Sequence, residues 1–256
     1  MKKCTHGICN GSGFILVEAT ESSDEYFTLC QCRLEANSKV DLNSKLIGAY
    51  FPIKLTIYSP DEYLSIAKMP SVMSPDAYAH NVESLKGLQA MINDSKFFMS
   101  GPDSIWVSGA SQSGKTSLAL ALGKSLLLNN ISVRYISLPK LAEMFKDFDN
   151  LTDNIKELNR FKVYIIDDIF DPMTDGKLTK YVYQELYSFI KSSLMDGKKF
   201  IFVSPKSFHN MAYIYKDPFK NTEIFNSADL QYLLVSSFRE IALQGHLGKY
   251  LINKSK

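Results

Sequence analysis

The sequence predicts an α/β fold: a parallel sheet with flanking helices, preceded by a small cysteine-bearing module. Three observations carry that expectation. Strand-like and helix-like patterns alternate from Ser104 onward, a glycine-rich loop joins an apolar strand to an apolar helix, and a second apolar strand ends in two aspartates. Strands alternating with helices form parallel sheets covered on both faces. Such sheets bind ligands at the carboxyl ends of their strands. The chain has 256 residues and is 45% hydrophobic, enough for one large core with an appendage.

The elements follow in order. Residues 1–48 read as the cysteine-rich module and its linker, with Asp24-Glu25 as a solvated loop tip and Glu35 to Lys45 as a polar connection. Residues 49–256 read as the sheet domain. Its first part, to Phe98, is mixed and punctuated by Pro52, Pro60, Pro70 and Pro75. Within it Val82, Leu85, Leu88 and Met91 mark a helix over 81–93. Ser104 to Ser108 is short and apolar enough for a buried strand. Thr116 to Leu128 is a leucine-rich helix stopped by Asn129-Asn130. Strands follow at 131–137, 161–166 and 200–204. Helices are expected at 138–148, 179–194 and 228–241, and Lys249 to Ile252 is a candidate last strand. There is no internal repeat and no low-complexity tract.

The loop Gly109-Ala110-Ser111-Gln112-Ser113-Gly114-Lys115-Thr116 fits G-x-x-x-x-G-K-[ST], the phosphate-binding pattern. Its glycines let several backbone N–H groups turn toward one anion. Lys115 adds charge near the β- and γ-phosphates, Thr116 offers a hydroxyl to Mg²⁺, and the helix presents its positive end. The expected ligands are therefore ATP and Mg²⁺. Val163-Tyr164-Ile165-Ile166-Asp167-Asp168 supplies the other half. Asp167 is placed to hold Mg²⁺ and Asp168 to polarise an attacking water as general base. The second carboxylate points to hydrolysis rather than to a kinase. Ser204 ends the next strand, where it is either a γ-phosphate sensor or a plain strand-end serine. Arg239, inside the expected last helix, is either a finger reaching a neighbouring subunit's phosphate or a surface arginine paired with an acid.

All the cysteines, Cys4, Cys9, Cys30 and Cys32, lie near the N-terminus in two close pairs. That arrangement is expected to build a four-sulfur zinc site, the alternatives being a disulfide pair, disfavoured by a reducing compartment, and unliganded thiols; Cys9-Asn-Gly-Ser-Gly13 would provide the tight turn in which N–H groups face thiolates. The spacings, C-x4-C and C-x-C, depart from the commoner C-x2-C, and His6 is an alternative to one sulfur. Four protein ligands leave no open position, so Zn²⁺ here is structural. The net charge of +2 gives no global basic field. No apolar run reaches the ~18 residues of a membrane span. The first residues lack the apolar stretch of a secretion signal, which predicts a cytoplasmic protein with reduced thiols.

Taken together, Cys9 to Gly13, Cys30-Gln-Cys-Arg33, Gly109 to Thr116, Val133 to Ser137 with Leu141, Ile165 to Asp168, the Arg239 segment and Gly245-His-Leu-Gly-Lys249 resemble the DnaC/DnaI-type replicative helicase loaders. These are a branch of the AAA+ ATPases that also contains the IstB transposition ATPases. The resemblance implies an ATP-dependent ring or spiral that grips a hexameric replicative DNA helicase and helps place it on single-stranded DNA. It implies Arg239 as a finger acting in trans, and a cysteine module that contacts the helicase or orders the assembly. That module favours loading over transposition. For single-stranded DNA the candidate contacts are Lys198, Lys199, Lys206, Lys254 and Lys256, with Phe208, Tyr213 and Tyr215 for base stacking. The chain departs from the family at several points. Ala-Ser-Gln-Ser stands where Pro-Pro-Gly-Thr is frequent, Asp168 where glutamate is common, Pro205 where asparagine is frequent, and Lys249 where arginine is. The shorter acid implies slow hydrolysis, and the small size and these drifts fit a bacteriophage-encoded loader. A P-loop kinase and a nucleotide-gated adaptor without useful hydrolysis are the rival classes.

Overall fold

The alternation of strand and helix patterns builds, among the described residues, a five-stranded parallel sheet in the spatial order β4 (Val133–Ser137), β5 (Val163–Asp167), β6 (Lys199–Ser204), β3 (Ser104–Gly109) and β7 (Phe238–Leu243). The structure, a computed structural model, describes residues 14–17, 26–29, 42–52, 55–69, 71–169, 179–207 and 227–247. Cys4, His6, Cys9, Cys30, Cys32 and the 249–252 strand lie outside the described residues. The chain divides into two units, Met1–Gly48 and Ala49–Lys256. In the first, β1 (Phe14–Val17) and β2 (Tyr26–Leu29) pair antiparallel, Phe14 opposite Leu29. A short helix, α1, covers residues 42–48, where a polar connection was expected as far as Lys45.

In the second unit two prolines read as punctuation instead open helices. Pro has no N–H to lose in a helix's first turn, and its fixed φ suits that position. Ser59 caps α2 (Pro60–Ala67) in a capping box with Glu62, and Ser74 caps α3 (Pro75–Asn93). Helix α3 thus begins ahead of the expected Asn81. Helix α4 (Ser95–Ser100) leads into β3 (Ser104–Gly109). Then come α5 (Lys115–Leu128), β4 (Val133–Ser137), α6 (Leu138–Lys146), α7 (Leu151–Asn159), β5 (Val163–Asp167), α8 (Lys180–Met195) and β6 (Lys199–Ser204). Helix α7 was not anticipated, although Leu151, Ile155 and Leu158 recur at helical spacing along it.

The last expected helix is two elements. Helix α9 (Ser227–Ser237) gives way at once to β7 (Phe238–Leu243). Strand β7 pairs in parallel with β3, setting Ser104 beside Phe238 and Gly109 beside Leu243. Arg239 therefore lies on an edge strand, exposed and opposite Ile105, and not in a helix. A short apolar run does not distinguish strand from helix by periodicity; here the ladder to β3 decides.

The sheet has chemically different faces because side chains alternate along each strand. Trp106, Tyr164, Phe200, Phe202 and Phe238 share one face, clustered with Leu141 and Phe145 of α6 and Leu186 and Phe189 of α8. Aromatic rings meet edge-on or stacked there, as in Trp106–Phe202 at 5.7 Å and Phe202–Phe238 at 4.7 Å. At the alternate positions the aliphatic Ile105, Ile165 and Ile201 are fully buried. Helix α5 packs so closely on that side that a Cβ at Gly123 would stand 2.5 Å from Ile165 Cδ1 and 2.8 Å from Phe51 Cζ.

Gly123→Val should therefore overpack the α5 interface and lower the unfolding free energy by about 1–3 kcal/mol. Chemical denaturation checks this, as a lower midpoint with an unchanged slope.

Candidate functional site

Strand β3 delivers the glycine-rich loop at its carboxyl end. Gly109 has φ +149°, and a Cβ there would fall 2.6 Å from the Leu243 carbonyl oxygen. Gly114, at φ +91°, caps α5, and a Cβ there would meet Tyr63 Cε2 at 2.8 Å. Gln112 between them is also left-handed, at φ 60°. Such a succession of turned peptides gathers N–H groups into an anion-binding concavity, with the unsatisfied first turn of α5 behind it. The Ser113 N–H donates to the Ala110 carbonyl at 3.3 Å, and Lys115 Nζ donates to the same oxygen at 2.6 Å. The buried Ser113 hydroxyl has no hydrogen-bond partner among the described residues.

The far side of the loop is fastened by the segment after β7. The Leu247 N–H donates to the Gln112 carbonyl at 2.9 Å, and His246 Nδ1 lies 2.8 Å from the Ser111 carbonyl oxygen. That segment is held in turn by Asn81 of α3, which is fully buried. Its Nδ2 donates to the Gln244 carbonyl at 2.9 Å and to the Tyr63 hydroxyl at 3.1 Å, and its Oδ1 accepts from the Gln244 N–H at 2.8 Å. One amide thus serves both backbone groups of Gln244.

Asp167 ends β5 and is 5% exposed. Its Oδ1 accepts from the Thr116 hydroxyl at 3.3 Å and from the Asp168 N–H at 2.9 Å, and its Oδ2 accepts from the Tyr135 hydroxyl at 2.8 Å. Burial pushes the Asp167 carboxyl above its usual range, opposed by these donors and by the Lys115 charge. Burial and then the Asp167 charge push the Tyr135 phenol upward, so it stays protonated as a donor. Asp168 has φ 57° and is exposed. Left-handed backbone in a non-glycine residue is a local strain that aspartate tolerates better than most. It turns the second carboxylate outward while the first points in.

The structure brings Thr116 to Asp167 as the sequence pattern requires, and it sets Lys115 over the loop. Ser204 is fully buried at the end of β6, where its hydroxyl accepts from the Lys206 N–H at 3.2 Å. Arg239 lies toward the opposite end of the sheet, since β7 runs parallel to β3 and carries it beside Ile105. Its Nη1 would stand 3.8 Å from a Cβ at Gly87 of α3. Lys199 is corrected as a DNA contact: it is 7% exposed and its Nζ donates to the Gly101 carbonyl at 2.5 Å. Burial lowers its pKa, which weakens any role as a surface cation. Lys198 is engaged by Asn159 Oδ1 at 2.7 Å, whereas Lys206 is exposed beyond β6. Phe208, Tyr213, Tyr215, Lys254 and Lys256 lie outside the described residues. Tyr135 and Asn81 were not anticipated. A tyrosine two residues before the carboxyl end of β4 was the available sign for the first; the second depends on a contact distant in sequence.

The residues present fit a magnesium nucleotide. The loop is a backbone cradle whose turned residues Gly109 and Gly114 leave no room for a Cβ against Leu243 and Tyr63, and the hydroxyl of Thr116 and the carboxylate of Asp167 are the hard oxygen donors Mg²⁺ takes. Among the described residues no group of three or more His, Cys, Asp or Glu side chains gathers for a metal, and no helix is long and apolar enough to cross a membrane.

No family model matches the chain, and comparison with curated proteins gives no match. Solved structures do match. The fold is similar to that of DnaI, with a TM-score of 0.51 at 14% identity over 75% of this chain and 94% of that one. It is similar to the DnaC helicase loader, with a TM-score of 0.51 at 14% identity over 63% of this chain and 88% of that one. AMPPCP-bound DnaA from Aquifex aeolicus is matched at a TM-score of 0.47 and 16% identity over 68% of this chain; the match spans 50% of the DnaA chain. At these identities the likeness establishes the fold alone: a parallel sheet with flanking helices shared with DnaI and the DnaC helicase loader.

Asn81→Leu should leave the buried Gln244 N–H unpaired and lower stability by about 1–3 kcal/mol. Thermal unfolding reads the loss.

Proposed function

We propose that this chain is an ATP-hydrolysing switch of DNA replication initiation that engages a hexameric replicative helicase and helps place it on single-stranded DNA. The observation that carries the nucleotide half is the approach of Thr116 to Asp167 beside the turned loop, with Asp168 facing outward. The loading half rests on the family resemblance of the motifs, supported by the fold shared with DnaI and DnaC.

In this reading residues 109–116 bind the triphosphate, and Lys115 leaves the Ala110 carbonyl to take its charge. Thr116 and Asp167 hold Mg²⁺, which supplies charge neutralisation across the phosphates. Asp168 orients a water and accepts its proton at a carboxylate oxygen. Ser204, whose hydroxyl accepts the Lys206 N–H, keeps its own proton to donate toward the phosphate end. Arg239 acts in trans within a ring or spiral, presented from an edge strand whose register is fixed by β3. Residues 1–48 act as a zinc-bearing module through Cys4, Cys9, Cys30 and Cys32, with His6 as an alternative ligand, and work in the cytoplasm. Among the described residues Lys206, exposed just beyond the carboxyl end of β6, serves DNA contact.

Lys115→Ala should abolish nucleotide binding by calorimetry. Asp168→Asn should keep binding and lower turnover by roughly 10²–10⁴-fold. Arg239→Ala should spare binding and cut turnover only in the assembled state; full turnover by the assembled variant removes the finger. Light scattering of the chain mixed with a hexameric replicative helicase, with and without ATP, tests loading. An ATP-dependent complex supports it. Phosphate transfer to a small acceptor, or a complex with a transposase in place of the helicase, overturns it.

A further inference from the structure

Asp167 has two carboxylate oxygens, and they are held from different directions. Oδ1 faces Thr116 and the Asp168 N–H, while Oδ2 is fixed by the Tyr135 hydroxyl at 2.8 Å. Tyr135 stands on β4, the neighbour of β5, with its own partner Ile165 one pair before Ile166. Its backbone N–H points the other way and donates to the Ala49 carbonyl at 2.8 Å, and its ring meets Phe51 edge-on at 6.4 Å. The same stretch of chain is stitched to the other metal-facing element. Ser117, next to Thr116, donates to the Thr56 carbonyl at 2.8 Å and accepts from the Tyr58 N–H at 2.7 Å. The first residues of the second unit therefore touch both sides of the pair Thr116–Asp167.

We propose that Tyr135 is a positioning residue for Asp167, and that it ties the orientation of this carboxylate to the chain segment beginning at Ala49. Without the phenol hydroxyl, Oδ2 loses its donor and the carboxylate is held through Oδ1 alone, by Thr116 and the Asp168 N–H. A buried charged acceptor depends strongly on such bonds. The segment at Ala49 follows directly on the first unit in sequence, so a pull on that segment is transmitted to the β4 strand that carries Tyr135.

This inference rests on the reading of the site as a magnesium–nucleotide site, and the experiment separates the two. Calorimetric titration of ATP into the full chain and into Tyr135→Phe is carried out with and without Mg²⁺. The phenylalanine keeps the ring contact with Phe51 and the backbone bond to Ala49. Affinity without Mg²⁺ should be the same in both proteins, whereas the gain on adding Mg²⁺ should fall about tenfold in the variant, some 1.4 kcal/mol. A general loss of structure would lower both affinities and does not give this split. An unchanged gain in the variant overturns the role of Tyr135 and leaves the site reading intact. No magnesium-dependent binding by the unaltered chain overturns both. Amide exchange of the unaltered chain serves should the variant fail to fold. The Tyr135 N–H should exchange more slowly with Mg²⁺ and ATP than with ATP alone, and equal rates overturn the tie to Ala49.

Discussion

A carboxylate buried at the end of a strand has to be surrounded by donors, and Asp167 sets that demand for the whole functional edge of the sheet. Removing an unpaired charge from water costs several kcal/mol. Three elements answer it: β4 brings the Tyr135 hydroxyl, α5 brings the Thr116 hydroxyl, and the chain itself folds back to bring the Asp168 N–H. Asp168 itself has left-handed backbone, and its side chain lies at the surface. Two adjacent acids thus have opposite environments, one buried and one exposed. The glycine loop obeys a complementary rule. Its Ser111 and Gln112 carbonyls are engaged from behind by His246 and Leu247, which leaves the concave side to N–H groups and to Lys115.

The register of the parallel sheet makes these local solutions compatible. Ser108 pairs with Ser204 and with Ala242, and Ser137 pairs with Asp167, so the strand ends that carry function stand at one level. Strand β3 lies between β6 and β7, whereas the helix that follows it leads to β4 at the far edge. Such a change of direction marks, at the carboxyl ends of the strands, the usual ligand position of open parallel sheets. Below that level the sheet is held by two unlike interfaces, one of interlocked rings and one of close aliphatic contact at Gly123.

Most of the sheet was legible because its strands are apolar runs between polar breaks, and the loop and the acid pair were legible because their chemistry is written in adjacent residues. The misreadings have specific causes. Pro60 and Pro75 break a helix only from its interior; at the first turn, after Ser59 and Ser74, they begin one. The 228–241 run hid a change of structure because Phe238, Ile241 and Leu243 are buried by neighbours that sequence periodicity does not reveal. Lys199 looked like a surface cation beside Lys198, yet the first residue of a buried strand turns its amine to the Gly101 carbonyl. Tyr135 and Asn81 were illegible for one reason: each acts on a partner that is near only after folding, Asp167 in one case and Gln244 in the other.

The single tryptophan of the chain sits at the centre of this arrangement. Trp106 is fully buried on the aromatic face, three residues ahead of Gly109, and its Nε1 donates to the Lys206 carbonyl at 2.9 Å. Indole emission depends on solvent and on hydrogen bonding, so this protein carries a built-in fluorophore at one defined depth. Its signal originates wholly from the second unit, and it watches the junction between the strand that feeds the phosphate loop and the turn that leaves β6. Optical titrations and stopped-flow records can follow that junction in the unlabelled molecule.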